Sequence, residues 1–590
     1  MYVFLCKGCR APGLVLKIFK YFGSLIAAVA LIAVVAELGI GRFMPDAYRG
    51  YLFETGNDQA RWAVGPFDPA LPSKAFNDPV RLSKPENTIR ILSVGASGTE
   101  GWLSAKAVYN LYGVPWQEQG LSSYSRALEF SMNRIADDTS ANVEVINLGI
   151  AAYNTSDVLR MLKDAMVLEP DLLVLHVGIN ETWTGERTDW ASYVSNDISY
   201  FNSERAYEIF TESKSGWRTL SVGDPFSPLA LFGGSAQPIV PEMPGRAPGI
   251  EERLQHYRDS LASLNRYLQG QGIPAVIMIP TQNVADFHPF GSMAKPGTEA
   301  EQLQELNGML IEALAATGAS AKQKYLEIAA IDDGISEVNF QLAKIFQAEG
   351  DGEKALEYFW KANDRDIILK RPPGVFHDVT REFVVENGYP VLDVMGFLAE
   401  RSEGGHVGNN WVYDDVHPNR PAQVELGNEL VRIILDNGML ADANYRADLS
   451  KLPALNDYDE WVGLDDESVS ELAFLRAVHN HMGFGRLRQR MRWDPAPEKF
   501  LDQILAWLSI ANETAPSDNS LYFATAINVF LERNEAATSI IARMNCEASP
   551  ERAAAVHQGL LNFSRQTMGY TKPDLGTELA ALLNEKGCVK

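Results

Sequence analysis

Five short runs in this chain are apolar and rich in β-branched residues: TIRILSVG (88–95), NVEVINLG (142–149), DLLVLHVG (171–178), PAVIMIP (274–280) and PVLDVMGF (390–397). Between them lie helix-like stretches, SRALEFSMNRIADD (125–138), TSDVLRMLKDAMVLE (155–169) and EERLQHYRDSLASLNRYLQ (251–269). Alternation of this kind predicts an α/β unit, a parallel sheet covered by helices on both faces. Right-handed crossovers then bring the C-terminal ends of all strands to one rim, where the sites of α/β proteins form.

Three regions break the alternation. Residues 42–87 scatter Pro, Gly and Asn without periodicity, as expected of a linker. Residues 185–250 are irregular and aromatic-rich, an expected insertion near the rim. Within a second insertion, 318–372, the stretch FQLAKIFQAEGDGEKALEYFWKANDRD (340–366) resembles one tetratricopeptide-type helical hairpin. There Ala355 and Ala362 would let two helices approach closely. One copy does not make an array, so a helical insertion packed on the sheet unit is expected. Beyond Gly438 the pattern turns helical, and 439–590 reads as a separate C-terminal unit.

The N-terminus adds a location. YFGSLIAAVALIAVVAELGIG (21–41) is apolar except for Glu37, and about 20 residues at ~1.5 Å each match the ~30 Å hydrocarbon core of a bilayer. Lys7, Arg10, Lys17 and Lys20 in the leader 1–20 would keep it cytoplasmic and place the rest outside, periplasmic in a Gram-negative cell. A signal peptide cleaved after Ala36 is the competing reading. The net charge of −24 would repel phosphate backbones, so nucleic acid is not an expected partner. Four cysteines are too few for a disulfide framework; Cys6 and Cys9 read as incidental, and Cys546 and Cys588 would pair only in an oxidising compartment.

Candidate chemistry sits at the predicted rim. In VGASGTEG, Gly95 turns the chain at the end of a strand and presents Ser97 beside a helix start. Three familiar loops do not fit. A P-loop needs Lys where Trp102 stands, a dinucleotide fingerprint needs an acidic end to the next strand where Asn147 stands, and a G-x-S-x-G elbow needs Gly where Thr99 stands. A nucleophilic serine requires a base. YDDVHPN (413–419) offers one: Asp414 and His417, three apart, can share one side of a tight turn. His176 lies inside an apolar strand and reads as a satisfied core histidine. HNH (479–481) looks like a metal pair, but residues two apart on a helix do not face each other, so it is not expected to hold an ion. Trp102, Tyr153 and Trp183 follow rim loops, and ordinary packing is at least as good an account of them as sugar stacking.

Taken in order along residues 88–438, these motifs resemble the SGNH (GDSL-type) hydrolase superfamily. The matching positions are Gly95, Ser97 and Gly101, then Gly178 and Asn180, then Asp414, His417 and Pro418. The resemblance implies a three-layer α/β/α sandwich with a flavodoxin-like parallel sheet, to which this chain adds the N-terminal transmembrane helix and the helical C-terminal unit. It implies catalysis by Ser97, His417 and Asp414, with an oxyanion hole of the Ser97 amide, the Asn180 side chain and the backbone of Ala152. Gly149 is the nearby alternative donor. Ala152 stands where the family usually has Gly, Glu181 where it has Asp, and Ala96 where it has Asp.

The implied activity is ester hydrolysis through an acyl-serine, with no metal or organic cofactor. A carbohydrate O-acetyl ester outside the membrane is the expected substrate, with helical regions available to protein partners. Two alternatives stay open: an O-acyltransferase acting on envelope polysaccharide, and a non-catalytic membrane-anchored scaffold.

Overall fold

The computed structural model describes residues 50–56, 59–64, 80–101, 123–150, 153–182, 250–289, 292, 294, 298–366 and 371–463. Toward the C-terminus it describes 465–466, 469–470, 473–474, 477, 497–545 and 575–586. The leader, the 21–41 segment, the 185–249 insertion, Ala152, Trp102, Trp183, HNH (479–481) and all four cysteines lie outside the described residues. Among the described residues no helix is long and apolar enough to cross a membrane.

Among the described residues eight strands form two sheets. β1 (Gly50–Gly56), β2 (Gln59–Val64) and β3 (Val80–Arg81) make a three-stranded antiparallel sheet. The expected linker is therefore partly structured, and the Gly56-Asn57 step between two short runs is a hairpin signal that the scattered composition hides. β4 (Thr88–Gly95), β5 (Asn142–Gly149), β6 (Leu172–His176), β7 (Ala275–Ile279) and β8 (Val391–Asp393) form a wholly parallel sheet in the order β5-β4-β6-β7-β8. That is the doubly wound 2-1-3-4-5 order, in which the strand order reverses beside β4.

Among the described residues sixteen α-helices accompany the sheets: α1 (Ser97–Glu100), α2 (Tyr124–Ile135), α3 (Thr155–Ala165), α4 (Ile250–Gln271), α5 (Ala300–Ala315), α6 (Gly318–Ile331), α7 (Ser336–Ala348) and α8 (Gly352–Asp364) come first. They are followed by α9 (Gly374–Asn387), α10 (Val394–Ala399), α11 (Arg420–Asp436), α12 (Leu455–Val462), α13 (Pro497–Thr514), α14 (Asp518–Phe530), α15 (Asn534–Ile541) and α16 (Leu575–Lys586).

The two-residue period of the strands divides the core in two. Ile89, Ile91, Val143, Val145, Leu172, Val174, Val276 and Met278 point to one face, against α2, α11 and the insertion α5–α8. Leu92, Val94, Ile146, Leu148, Leu173, Leu175, Ala275 and Ile277 point to the other, against α3, α4 and α9. Both faces are covered, which is why these strands read as unbroken apolar runs. The insertion begins at Ala300, earlier than expected, and its hairpin α7–α8 closes on buried Ala355, Phe359 and Ala362, with Phe340 edge-on to Phe359 at 5.7 Å.

Two further boundaries differ from expectation. The last strand stops at Asp393, whose carboxylate accepts the Gly396 amide at 3.1 Å and starts α10, so the apolar run continues as helix. The sheet unit also extends beyond Gly438. Ala447 bridges Ala136, the Asp137 amide bonds the Arg446 carbonyl at 3.0 Å, and α12 buries Tyr458 against α2 and α11. Nor do the C-terminal helices stand apart: Leu501, Ile504, Trp507 and Phe523 share one apolar cluster with Phe287 and Tyr413 of the sheet unit's rim.

Candidate active site

Ser97 begins one turn of helix directly above the end of β4. The Thr99 and Glu100 amides both bond the Ala96 carbonyl at 3.0 Å, and Gly101, at φ +81, closes the turn onto the Ser97 carbonyl at 3.1 Å. Such a turn leaves the Ser97 and Gly98 amides without a preceding carbonyl to bond. Space around it is tight. A methyl group on Gly149 would overlap the Glu100 amide and the Thr99 carbonyl carbon, so only glycine lets β5 pass beneath the serine turn. Asn147 secures the arrangement, donating to the Thr99 carbonyl at 2.7 Å while accepting the Gly149 amide at 2.8 Å.

The D-x-x-H stretch folds as a closed loop. The Asn419 amide bonds the Trp411 carbonyl at 2.8 Å, and the Tyr413 amide bonds the His417 carbonyl at 3.1 Å. Inside it, Asp414 Oδ1 accepts the Val416 and His417 amides at 3.0 and 2.8 Å, a local turn typical of Asp. Oδ2 is left to take His417 Nδ1 at 2.6 Å. Asn419 caps α11 by accepting the Ala422 amide at 3.1 Å. One turn further on, Gln423 donates to the Gly98 carbonyl at 3.3 Å and accepts the Tyr124 amide at 2.8 Å, fastening the loop's helix to the serine turn.

The two loops meet: His417 Nε2 lies 2.7 Å from Ser97 Oγ. A carboxylate only accepts, so Asp414 makes Nδ1 the donor and leaves the Nε2 lone pair for the serine hydroxyl. Burial pulls the His417 pKa down, but the adjacent Asp414 charge and its hydrogen bond outweigh it, with Asp415 and Glu100 adding to the pull, and the net shift is upward. Ser97 is only 7% exposed and the His417 side chain 12%, so the pair works largely out of water. Asp415, between Asp414 and His417 in sequence, is also buried, and its carbonyl accepts the Asn283 amide at 2.8 Å, tying the loop to the β7 rim.

Asn180 lies at the adjacent rim, after β6. Gly178 turns the chain there at φ +99, and a Cβ on it would meet the Tyr257 hydroxyl at 2.7 Å. Asn180 Nδ2 donates to the Tyr153 carbonyl at 2.9 Å, which uses one of its two amide hydrogens. Gly149 is removed as an oxyanion donor, since its amide is held by Asn147; the next amide, of Ile150, bonds the Gly95 carbonyl at 3.1 Å. Tyr153 is buried in the apolar layer around α3 and has no free ring face for a sugar.

His176 is buried but not satisfied. Its Nδ1 is 3.5 Å from Thr99 Oγ1, its Nε2 has no partner among the described residues, and burial lowers its pKa to about 4. It packs edge-on to Tyr124 under the Gly98 turn. Asp414, Asp415 and His417 are the group among the described residues whose ligand atoms lie close enough to hold a metal, within 4.8 Å. The short Nδ1–Oδ2 contact already commits two of those atoms to each other, which suits proton transfer better than metal ligation.

The sequence patterns do not single out Asn147 and Gln423 for these roles. The clue to Asn147 is a polar residue ending a buried strand just before a glycine.

No protein-family model matches the chain, and no curated protein matches it. Among solved structures the chain is similar to a protein from Desulfitobacterium hafniense DCB-2 assigned to the lipolytic G-D-S-L family. The identity is 9%, the TM-score 0.24, and the overlap covers 58% of this chain and 98% of that one. So slight a likeness carries no function by itself, and the functional reading rests on the geometry of Ser97, His417 and Asp414.

Proposed function

We propose that this chain is a serine hydrolase of acyl esters. One observation carries the reading: an alcohol, an imidazole and a carboxylate in continuous hydrogen-bonded sequence, 2.7 and 2.6 Å apart. The SGNH-like order of motifs supports it.

In the proposed reaction Ser97 Oγ attacks the ester carbonyl carbon as His417 Nε2 takes its proton, and Asp414 stabilises the imidazolium. The negative charge that forms on the carbonyl oxygen is met by the Ser97 amide and the free Asn180 amide hydrogen, with the Ala152 backbone as the third donor. The tetrahedral adduct collapses, the C–O bond of the ester breaks, and His417 returns its proton to the departing alcohol. Water, deprotonated by His417, then attacks the acyl-serine; the acyl C–Oγ bond breaks, His417 returns the proton to Ser97 Oγ, and the acid is released.

An O-acetyl group on a carbohydrate outside the membrane is the proposed substrate, reached from an enzyme anchored by residues 21–41. Motif order and the apolar N-terminal run support this finer reading. The test is hydrolysis of a short-chain aryl ester by the wild type and by Ser97→Ala, each with and without an acetylated polysaccharide. Loss of activity in Ser97→Ala is expected. Full activity there contradicts the reading, and acyl transfer to the polysaccharide in place of hydrolysis reassigns the enzyme as a transferase.

A further inference from the structure

A second carboxylate is built into the rim and takes no part in the steps above. Glu181 follows Asn180 directly and is 5% exposed. Its Oε1 accepts both the amide and the hydroxyl of Thr155, at 2.8 and 2.7 Å, and the Gly178 amide also donates to this carboxylate. Thr155 is the first residue of α3, two positions after Tyr153, whose carbonyl holds the Asn180 amide. Asn180 and Glu181 therefore stitch the loop after β6 to the loop after β5, the two loops that border the proposed oxyanion site.

We propose that Glu181, in its ionised form, is the positioning residue that holds the Asn180 loop against the start of α3 and so sets the direction of the Asn180 donor. The proposal rests on the esterase reading. An ionised carboxylate has acceptors only and can satisfy all three donors. A protonated one holds the same donors only as a neutral acceptor, without charge assistance, so the joint between the loops loosens. Burial raises the Glu181 pKa to about 7 against the pull of the Thr155 and Gly178 bonds, with Asp157 adding to the rise. The groups packed around it are Asp157 on α3, itself beside Arg160, and Tyr257 and Arg253 on α4, whose guanidinium bonds the Thr182 carbonyl. The joint is thus made and broken near neutral pH.

The test is the pH profile of aryl-ester hydrolysis by the full chain, wild type and Glu181→Gln, with Ser97→Ala as the control for the parent reading. His417 must lose a proton and ionised Glu181 raises the rate about tenfold, so log(kcat/KM) of the wild type should fall on the acid side with a slope that exceeds one across the Glu181 titration and returns to one below it. In Glu181→Gln the amide mimics the protonated acid; kcat should fall about tenfold with KM little changed, and the slope should stay at one throughout. Thr155→Val, which removes one donor and keeps the volume, should move the same limb to higher pH. Inactive Ser97→Ala together with an unaltered Glu181→Gln profile overturns the role of Glu181 while leaving the esterase. A Glu181→Gln protein that loses thermal stability but keeps wild-type kcat and slope also overturns it.

Discussion

Asp414 Oδ1 and Oδ2 do different jobs: one accepts the His417 amide at 2.8 Å and the other His417 Nδ1 at 2.6 Å. A single side chain thus shapes the turn and aims the imidazole, which explains why three-residue spacing suffices to join them.

Asp414→Asn separates those jobs. The amide oxygen can still take the Val416 and His417 amides, so the fold should persist. Its NH2 group would face Nδ1 and favour the wrong tautomer. We expect kcat to fall by about 10³–10⁴-fold with the circular dichroism spectrum unchanged, as measured on an aryl ester.

The same carboxylate sets the pH dependence. His417 is held above its ordinary value of 6.5, and its neutral form is the base, so activity should rise with pH through that elevated value. The stabilising charge pair works in the opposite sense: it is fully present below 6.5 and is lost as pH rises through the folded-state pKa. Removing the charge in Asp414→Asn leaves burial as the main influence, so the residual activity should show its acid limb shifted below 6.5.

Glu181 predicts a linked effect on stability. Its folded pKa of about 7 lies above the unfolded 4.5, so burying the ionised form costs stability that is intact below 4.5 and lost as pH rises through 7, even though that form makes the joint. Thermal melts should show Glu181→Gln gaining on the wild type between pH 5 and pH 8.

Gly149→Ala tests the packing beneath the serine turn. The added methyl meets backbone rather than a movable side chain, and overpacking there should cost about 3 kcal/mol by denaturant unfolding and lower kcat as well.

Much of this was legible in the sequence, and the reasons are particular. The strands of the central sheet are buried on both faces, so TIRILSVG and NVEVINLG announce themselves at their full lengths, 88–95 and 142–149. The run at 390–397 misleads because apolar content does not distinguish strand from helix, and the Asp393 cap decides at residue 394. The start of the attachment of 439–463 leaves no pattern to read, since Ala447 and Arg446 pair through their backbone with Ala136 and Asp137. Tyr413 carries a similar lesson. Beside Asp414 in sequence, its ring lies nearly parallel to that of His417 at 5.8 Å and belongs to the apolar cluster that holds Ile504 and Trp507, a link that only tertiary structure can reveal.

Asn180→Ala should lower kcat about 10²-fold while leaving KM within a few-fold, because the donor acts on charge that exists only in the transition state. Steady-state kinetics on the aryl ester read both parameters.

The most direct measurement is covalent labelling of the intact protein with a fluorophosphonate, followed by peptide mass spectrometry. A single adduct on Ser97, absent in Ser97→Ala and strongly slowed in His417→Ala, is the expected result. A folded wild-type protein that remains unlabelled, or one labelled equally fast without His417, would contradict it.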